Sequence, residues 1–204
     1  MKASFAILLL FLTGVAAGRF LPMRWLLDLD PSLPALWLLM ALVGFSLGAG
    51  PQFQQMLAAF RLRLILLPVF TTLGTFCGAI VAACLVSWSV FDCLAIGSGF
   101  AYYSLSSVFI SRFRGADPGS AALICNVLRE LFTLLFVPLI VRFFGPIAAI
   151  SSGGATTMDT TLPVIVRYAG SQWAMPAIFH AMILDISVPF WVSLFCGLGQ
   201  RLAN

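Results

Sequence analysis

Two carboxylates stand where a carboxylate is costly. Glu130 lies in the middle of the apolar run Ser120 to Val141, which is long enough to span a bilayer. Asp159 lies in Gly153-Gly154-Ala155-Thr156-Thr157-Met158-Asp159-Thr160-Thr161, between apolar segments. A charge at the centre of a transmembrane helix costs roughly 2.5–3.5 kcal/mol on insertion scales, so such residues face a cavity, a partner or a moving ion rather than lipid. Two acids so placed can hold a cation by charge and release it when one is protonated. On a helix, Asn126, Glu130 and Thr133 share one face at spacings of four and three, forming a polar strip. Arg129 is rotated about 100° from Glu130, so the two are not a face-to-face pair. The competing structural reading is that Arg129 or another base pairs with an acid and only holds a bundle together.

Around Asp159 the glycines free the backbone, and the threonines, Thr157 among them, offer oxygens to a ligand or to exposed amides. Pro163 stops a continuous helix close behind. The bland alternative is an aqueous loop with a solvated Asp159. His180, the only histidine, lies in the apolar stretch Ala174 to Phe195. Without clustered ligands it makes no metal site, and it is either a hydrogen-bonded bundle residue or a proton-handling group. Asp185 is about 140° further around the same helix and need not share the His180 face. Asp92 sits near an interface; neither Asp92 nor Asp185 receives a role. There is no H-E-x-x-H, no P-loop and no Gly-x-Gly-Asp around Asp159, so neither an enzyme nor a cofactor is expected.

The elements that must position these residues are membrane helices. The chain of 204 residues is 61% hydrophobic and 9% charged, with a mean hydropathy of +1.07. Those values exclude a soluble globular protein and describe an all-α polytopic membrane protein in contact with the lipid bilayer. The net charge of +4 comes mostly from arginines at the ends of apolar runs, which fits membrane topology and not a nucleic-acid partner. The five cysteines form no C-x-x-C and read as free, small side chains buried in the membrane.

Spanning-size apolar runs fall near 3 to 20, 33 to 50, 64 to 87, 119 to 141 and 173 to 197. Two further stretches, near 90 to 111 and 145 to 168, are interrupted by Gly, Ser and Thr. The first run also has the features of a signal peptide, but Gly14-x-x-x-Gly18 gives it a packing face, and it is read as the first transmembrane helix. The interrupted stretches resemble each other, each leading through a Gly-containing turn into an apolar helix with a polar side chain about two turns in, Asn126 or His180. We read the chain as one transmembrane domain, 1–204, with duplicated units at about 90–141 and 145–197. If each broken segment re-enters from the side it left, the units form an inverted repeat whose irregular backbone lines a substrate site. The alternative is that 90 to 111 is an ordinary spanning helix.

The blocks Gly97-Ser98-Gly99-Phe100-Ala101-Tyr102-Tyr103-Ser104-Leu105-Ser106, Asn126-Val127-Leu128-Arg129-Glu130-Leu131, Gly154-Ala155-Thr156-Thr157-Met158-Asp159-Thr160-Thr161-Leu162-Pro163 and Pro176-Ala177-Ile178-Phe179-His180 carry a strong resemblance to the lysine exporter LysO family. The resemblance implies a multi-pass exporter of L-lysine and lysine analogues in the bacterial inner membrane, with Glu130 and Asp159 as its essential acids. It also implies that the chain corresponds to the C-terminal portion of full-length members. A separate small membrane subunit, or self-association into a homo-oligomer, would then complete the cavity. The mechanism expected is antiport with protons: the two acids take the substrate's ammonium groups, while backbone amides near Ser98-Gly99 and Ser152-Gly153, flanked by Tyr103 and Thr157, meet its carboxylate. The competing functions are export of another small cationic metabolite and a non-transporting subunit of a two-component exporter.

Overall fold

The computed structural model describes residues 62–203 and the isolated helical positions Thr13, Ala16, Leu38, Leu42 and Phe45. The runs expected at 3 to 20 and 33 to 50, and the Gly14-x-x-x-Gly18 face, otherwise lie outside the described residues. The chain divides into two compact units, Met1–Ala49 and Gly50–Asn204, and every element below belongs to the second. The elements are α1 (Leu62–Ala83), α2 (Val90–Gly97), α3 (Tyr103–Arg114), α4 (Ala116–Phe144), α5 (Pro146–Gly153), a 3₁₀ turn (Gly154–Met158), α6 (Leu162–Ala169), a second 3₁₀ turn (Ser171–Trp173) and α7 (Ala174–Ala203). No strand occurs among the described residues.

Among the described residues, three stretches are long and apolar enough to cross a membrane: Ile65–Ala83, Ala116–Phe144 and Ser171–Arg201. At about 1.5 Å per residue, the 19 residues of the shortest match a hydrocarbon core of about 30 Å. Helix is the form such sequences must take in lipid, because every backbone polar group is then satisfied within the segment. The sides of α4 are sorted as a membrane helix requires. Gly119, Ala122, Asn126, Thr133 and Val137 are buried, while Leu123, Ile124, Leu128, Phe132 and Leu135 face outward. Small and polar residues therefore form the packing face and large apolar ones meet the acyl chains. Gly119 lies so close to α3 that a Cβ there would strike the Ser111 side chain.

The stretch 90 to 111 is not a continuous spanning helix. It breaks at residues 98–102, where Phe100 (φ 46°) and Ala101 (φ 73°) adopt left-handed backbone that non-glycine residues rarely accept. The second interrupted stretch breaks through the Gly154–Met158 turn. The outer ends of the first broken segment lie together, since Arg114 in the last turn of α3 grips Asp92 in the first turn of α2 through Nε and, at 3.0 Å, through Nη2. The end of α7 reaches the same place, where Gln200 Nε2 donates to Phe113 O at 2.7 Å. The second broken segment is anchored at the other end. There Val137 of α4, Ala149 and Ile150 of α5, Ile165 of α6 and Ala177 of α7 form one buried cluster, with Ala169 and Trp173 packed on it. The two breaks meet at their tips, and Ala155 N–H donates to Phe100 O at 2.8 Å.

The Asp92 clamp gives a pH prediction. Burial pushes the Asp92 carboxyl up, but hydrogen bonds from Arg114 and Ser89 outweigh it and hold the group below its ordinary value of 3.8. A folded-state value below the unfolded one contributes stability above the ordinary carboxylate range, and that contribution is lost as pH falls through the folded value. Asp92→Asn is therefore expected to lower the melting temperature in detergent at neutral pH, with the difference from wild type shrinking below pH about 4.

Candidate site at the crossing of the broken segments

The crossing is held by polar groups from four elements. Arg129 of α4 donates through Nη2 to Ser151 O at 2.9 Å and through Nε to Ser152 O at 3.0 Å, with Thr75 Oγ1 of α1 at 3.4 Å from Nη1. Its guanidinium also lies 5.9 Å from the centre of the Phe100 ring. The last carbonyls of a helix have no partner inside it and carry partial negative charge. Arg129 thus serves as the terminal cap of α5 and leans on the tip of the other broken segment. The bonding expected of Arg129, to an acid, is replaced by bonding to backbone carbonyls.

Asn126, one turn earlier on α4, does the equivalent work at the first break. Its Oδ1 accepts from Ala101 N at 2.7 Å, and its Nδ2 donates to Ile96 O at 3.2 Å and Ala122 O at 2.8 Å. A side chain with two donors and an acceptor is used nearly to capacity to hold a strained turn. Thr133 turns back onto Arg129 O at 2.9 Å.

His180 is fully buried in α7, within reach of the Arg129 charge. Thr71 Oγ1 of α1 lies 3.0 Å from Leu67 O, 3.0 Å from Ser151 Oγ and 3.0 Å from His180 Nε2. The Thr71 hydroxyl can donate to Leu67 O or to Ser151 Oγ, and it shares a hydrogen bond with His180 Nε2. Nδ1 of the same ring makes no hydrogen bond among the described residues, with the Gly154 backbone nearby. The threonine thereby ties α1, α5 and α7 together at one hydroxyl. Thr71→Val is expected to cost about 1–3 kcal/mol by orphaning the buried imidazole nitrogen, while Thr71→Ser retains most of the stability; thermal unfolding in detergent reads both.

Glu130 is half-buried on the edge of the α4 packing face, about 100° around the helix from Arg129, and no hydrogen bond or ion pair to its carboxylate occurs among the described residues. Asp159 closes the 3₁₀ turn and is exposed, with Oδ1 accepting from the amide and, at 3.2 Å, the hydroxyl of Thr160. Asp185 of α7 is 5% exposed, with Asp159 and Tyr102 within its electrostatic reach. Thr157 is buried and bonds Gly154 O at 2.9 Å and Ala177 O at 3.0 Å, pinning the second break to α7.

The amides expected to meet a carboxylate are differently employed. Ser98 N–H bonds Leu94 O, Gly99 N–H bonds Ile96 O, and Ser98 Oγ bonds Ala95 O at 2.9 Å, so both residues close the C-terminus of α2. Ser152 and Gly153 lie in the last turn of α5, where amides point back into the helix and only carbonyls face the break. The free amides lie one step further along, at the start of α3, which opens at Tyr103 with no side-chain cap. Arg129 as a cap and Asp185 as a site-facing acid were not singled out from sequence. A cavity of about 360 Å³ opens between α1 and α7, lined by Pro68, Thr72, Phe76, Leu184 and Trp191; its wall is almost entirely apolar.

Apolar spanning helices, two broken helices that meet at their tips, and ionisable side chains gathered at the meeting point define a multi-pass helical membrane protein with a polar centre. The chain belongs to the lysine exporter LysO family, whose pattern it matches over residues 8–196, a family of transporters and not of enzymes. It is 32% identical over 158 residues to the lysine exporter LysO of Escherichia coli (strain K12), covering 78% of this chain and 52% of that protein. It is 33% identical over 124 residues to a putative lysine exporter of Haemophilus influenzae (strain ATCC 51907 / DSM 11121 / KW20 / Rd), covering 61% of this chain and 63% of that one. The chain thus spans about half to under two thirds of the length of these curated relatives. No solved structure matches it.

Proposed function

We propose that the chain forms the transport core of an inner-membrane exporter of L-lysine and lysine analogues, driven by proton antiport. The observation that carries the reading is the meeting of the two breaks at Ala155 and Phe100. The first broken segment opens toward the end marked by Asp92, Arg114 and Gln200, the second toward the end marked by Ile150, Ile165 and Ala177. With α4 and α7 as the spanning helices that follow them, residues 90–141 and 145–197 are two copies of one unit in opposite orientation, each re-entering from the side it left. Irregular backbone at membrane depth is tolerated where it lines a cavity, and transporters built from inverted repeats place their substrate there. Glu130 on α4 and Asp159 just past the second break supply negative charge suited to a substrate with ammonium groups. Protonation of either acid weakens cation binding, which couples release to proton entry. The names of the relatives make lysine the first substrate to test.

A competition panel decides the substrate. In proteoliposomes loaded with labelled lysine, unlabelled lysine is expected to outcompete arginine, ornithine and neutral amino acids. If arginine or ornithine competes better, the scaffold exports a different cationic metabolite.

A further inference from the structure

Asp185 is a buried charge for which the account so far has no use. It is the twelfth of the 30 residues of α7, close to the middle of a spanning helix, and it is 95% buried. Its oxygens have no hydrogen bond or ion pair among the described residues, and the neighbouring hydroxyl of Ser187 is committed to Leu184 O at 2.7 Å. Along its length α7 packs on the Gly154–Met158 turn and on α2 and α3. Asp159, just past the second break, and Tyr102, at the end of the first, both lie within electrostatic reach of Asp185. Two neighbouring carboxylates repel, and a cation between them relieves the repulsion and offsets the desolvation of the buried one, Asp185. Directly after Tyr102 comes the uncapped start of α3. Ser106 N–H turns back to Tyr102 O, and the three amides before it have no partner within the helix, which leaves the positive end of the helix dipole at the same place.

We propose that Asp185 is a substrate-binding carboxylate that pairs with Asp159 to seat one ammonium of a basic amino acid, whose carboxylate rests on the amides opening α3. Negative and positive ends of the site then lie side by side, as a zwitterion requires, and Glu130 on α4 is left for the second ammonium. The proposal rests on the reading of the chain as a lysine exporter and adds to it a residue and an orientation.

Direct binding of L-lysine and of cadaverine, which is lysine without its carboxylate, to purified wild type, Asp185→Asn and Asp185→Glu tests it. Removing one partner of a desolvated charge pair is expected to weaken lysine binding about tenfold or more. Asp185→Glu is expected to restore part of the affinity, and the melting temperature without ligand to stay level or rise in Asp185→Asn, because an unpaired buried charge has gone. Cadaverine is expected to bind wild type more weakly than lysine does. If Asp185→Asn binds lysine as tightly as wild type while wild type binds it well, the role of Asp185 is overturned and the exporter reading stands. If wild type binds neither ligand, both fail together.

Discussion

Arg129→Met is expected to destabilise the fold by about 2–6 kcal/mol, the loss of partners for two carbonyl groups at about 1–3 kcal/mol each. Ser151 O and Ser152 O end α5 inside the protein, and the guanidinium satisfies both at once. Methionine fills much of the same volume but donates nothing, and no water of the bilayer core can take its place. Arg129→Lys is expected to fall between the two, since a single ammonium cannot reproduce the planar fork. Thermal unfolding and the monodisperse fraction after detergent extraction are the readouts. A methionine variant that melts with wild type would remove Arg129 from the account of the crossing. Transport is expected to fall with stability, because the same side chain spaces the tip of one broken segment from the other.

Gly154→Ala is expected to be the most damaging single methyl group in the described region. Gly154 has φ +62° and ψ −131°, a conformation that only glycine adopts without strain. A Cβ at this position would collide with the carbonyl of Phe100, which is backbone and cannot swing aside. That carbonyl is the acceptor of the bond from Ala155 N–H, so the methyl group forces the tips apart at the point where they join. Gly78→Ala is the control: the position is in the interior of α1 with nothing within 4 Å of the added atom, and a compatible glycine replacement is expected to be neutral or to stabilise by about 0.4–1 kcal/mol. Folded yield and lysine efflux should separate the two variants clearly, and equal behaviour would mean that the crossing is not needed.

Much of this arrangement is legible in the sequence, and its limits have physical causes. The breaks at 98–102 and 154–158 are announced by Gly, Ser and Thr inside otherwise apolar runs, and Asn126 and Thr133 announce themselves as polar residues on one helical face. The meeting of the tips leaves no such trace, because the bond is between backbone groups of Ala155 and Phe100. Arg129 looks like a residue in search of an acid since carbonyl partners have no residue type. Asp185 receives no role from sequence because it lies about 140° around the helix from His180, and helical periodicity alone expects one buried face per helix. Both residues of α7 are buried: His180 meets Thr71 of α1, and Asp185 lies within electrostatic reach of Asp159 and Tyr102.

Efflux of labelled lysine from preloaded cells expressing wild type, Glu130→Gln or Asp159→Asn tests the central claim most directly, provided that membrane levels of the three are matched. Each substitution keeps the shape of the side chain and removes only its charge, so a carboxylate-based cation route predicts that efflux falls to background in both variants. Efflux at the wild-type rate in both would contradict it.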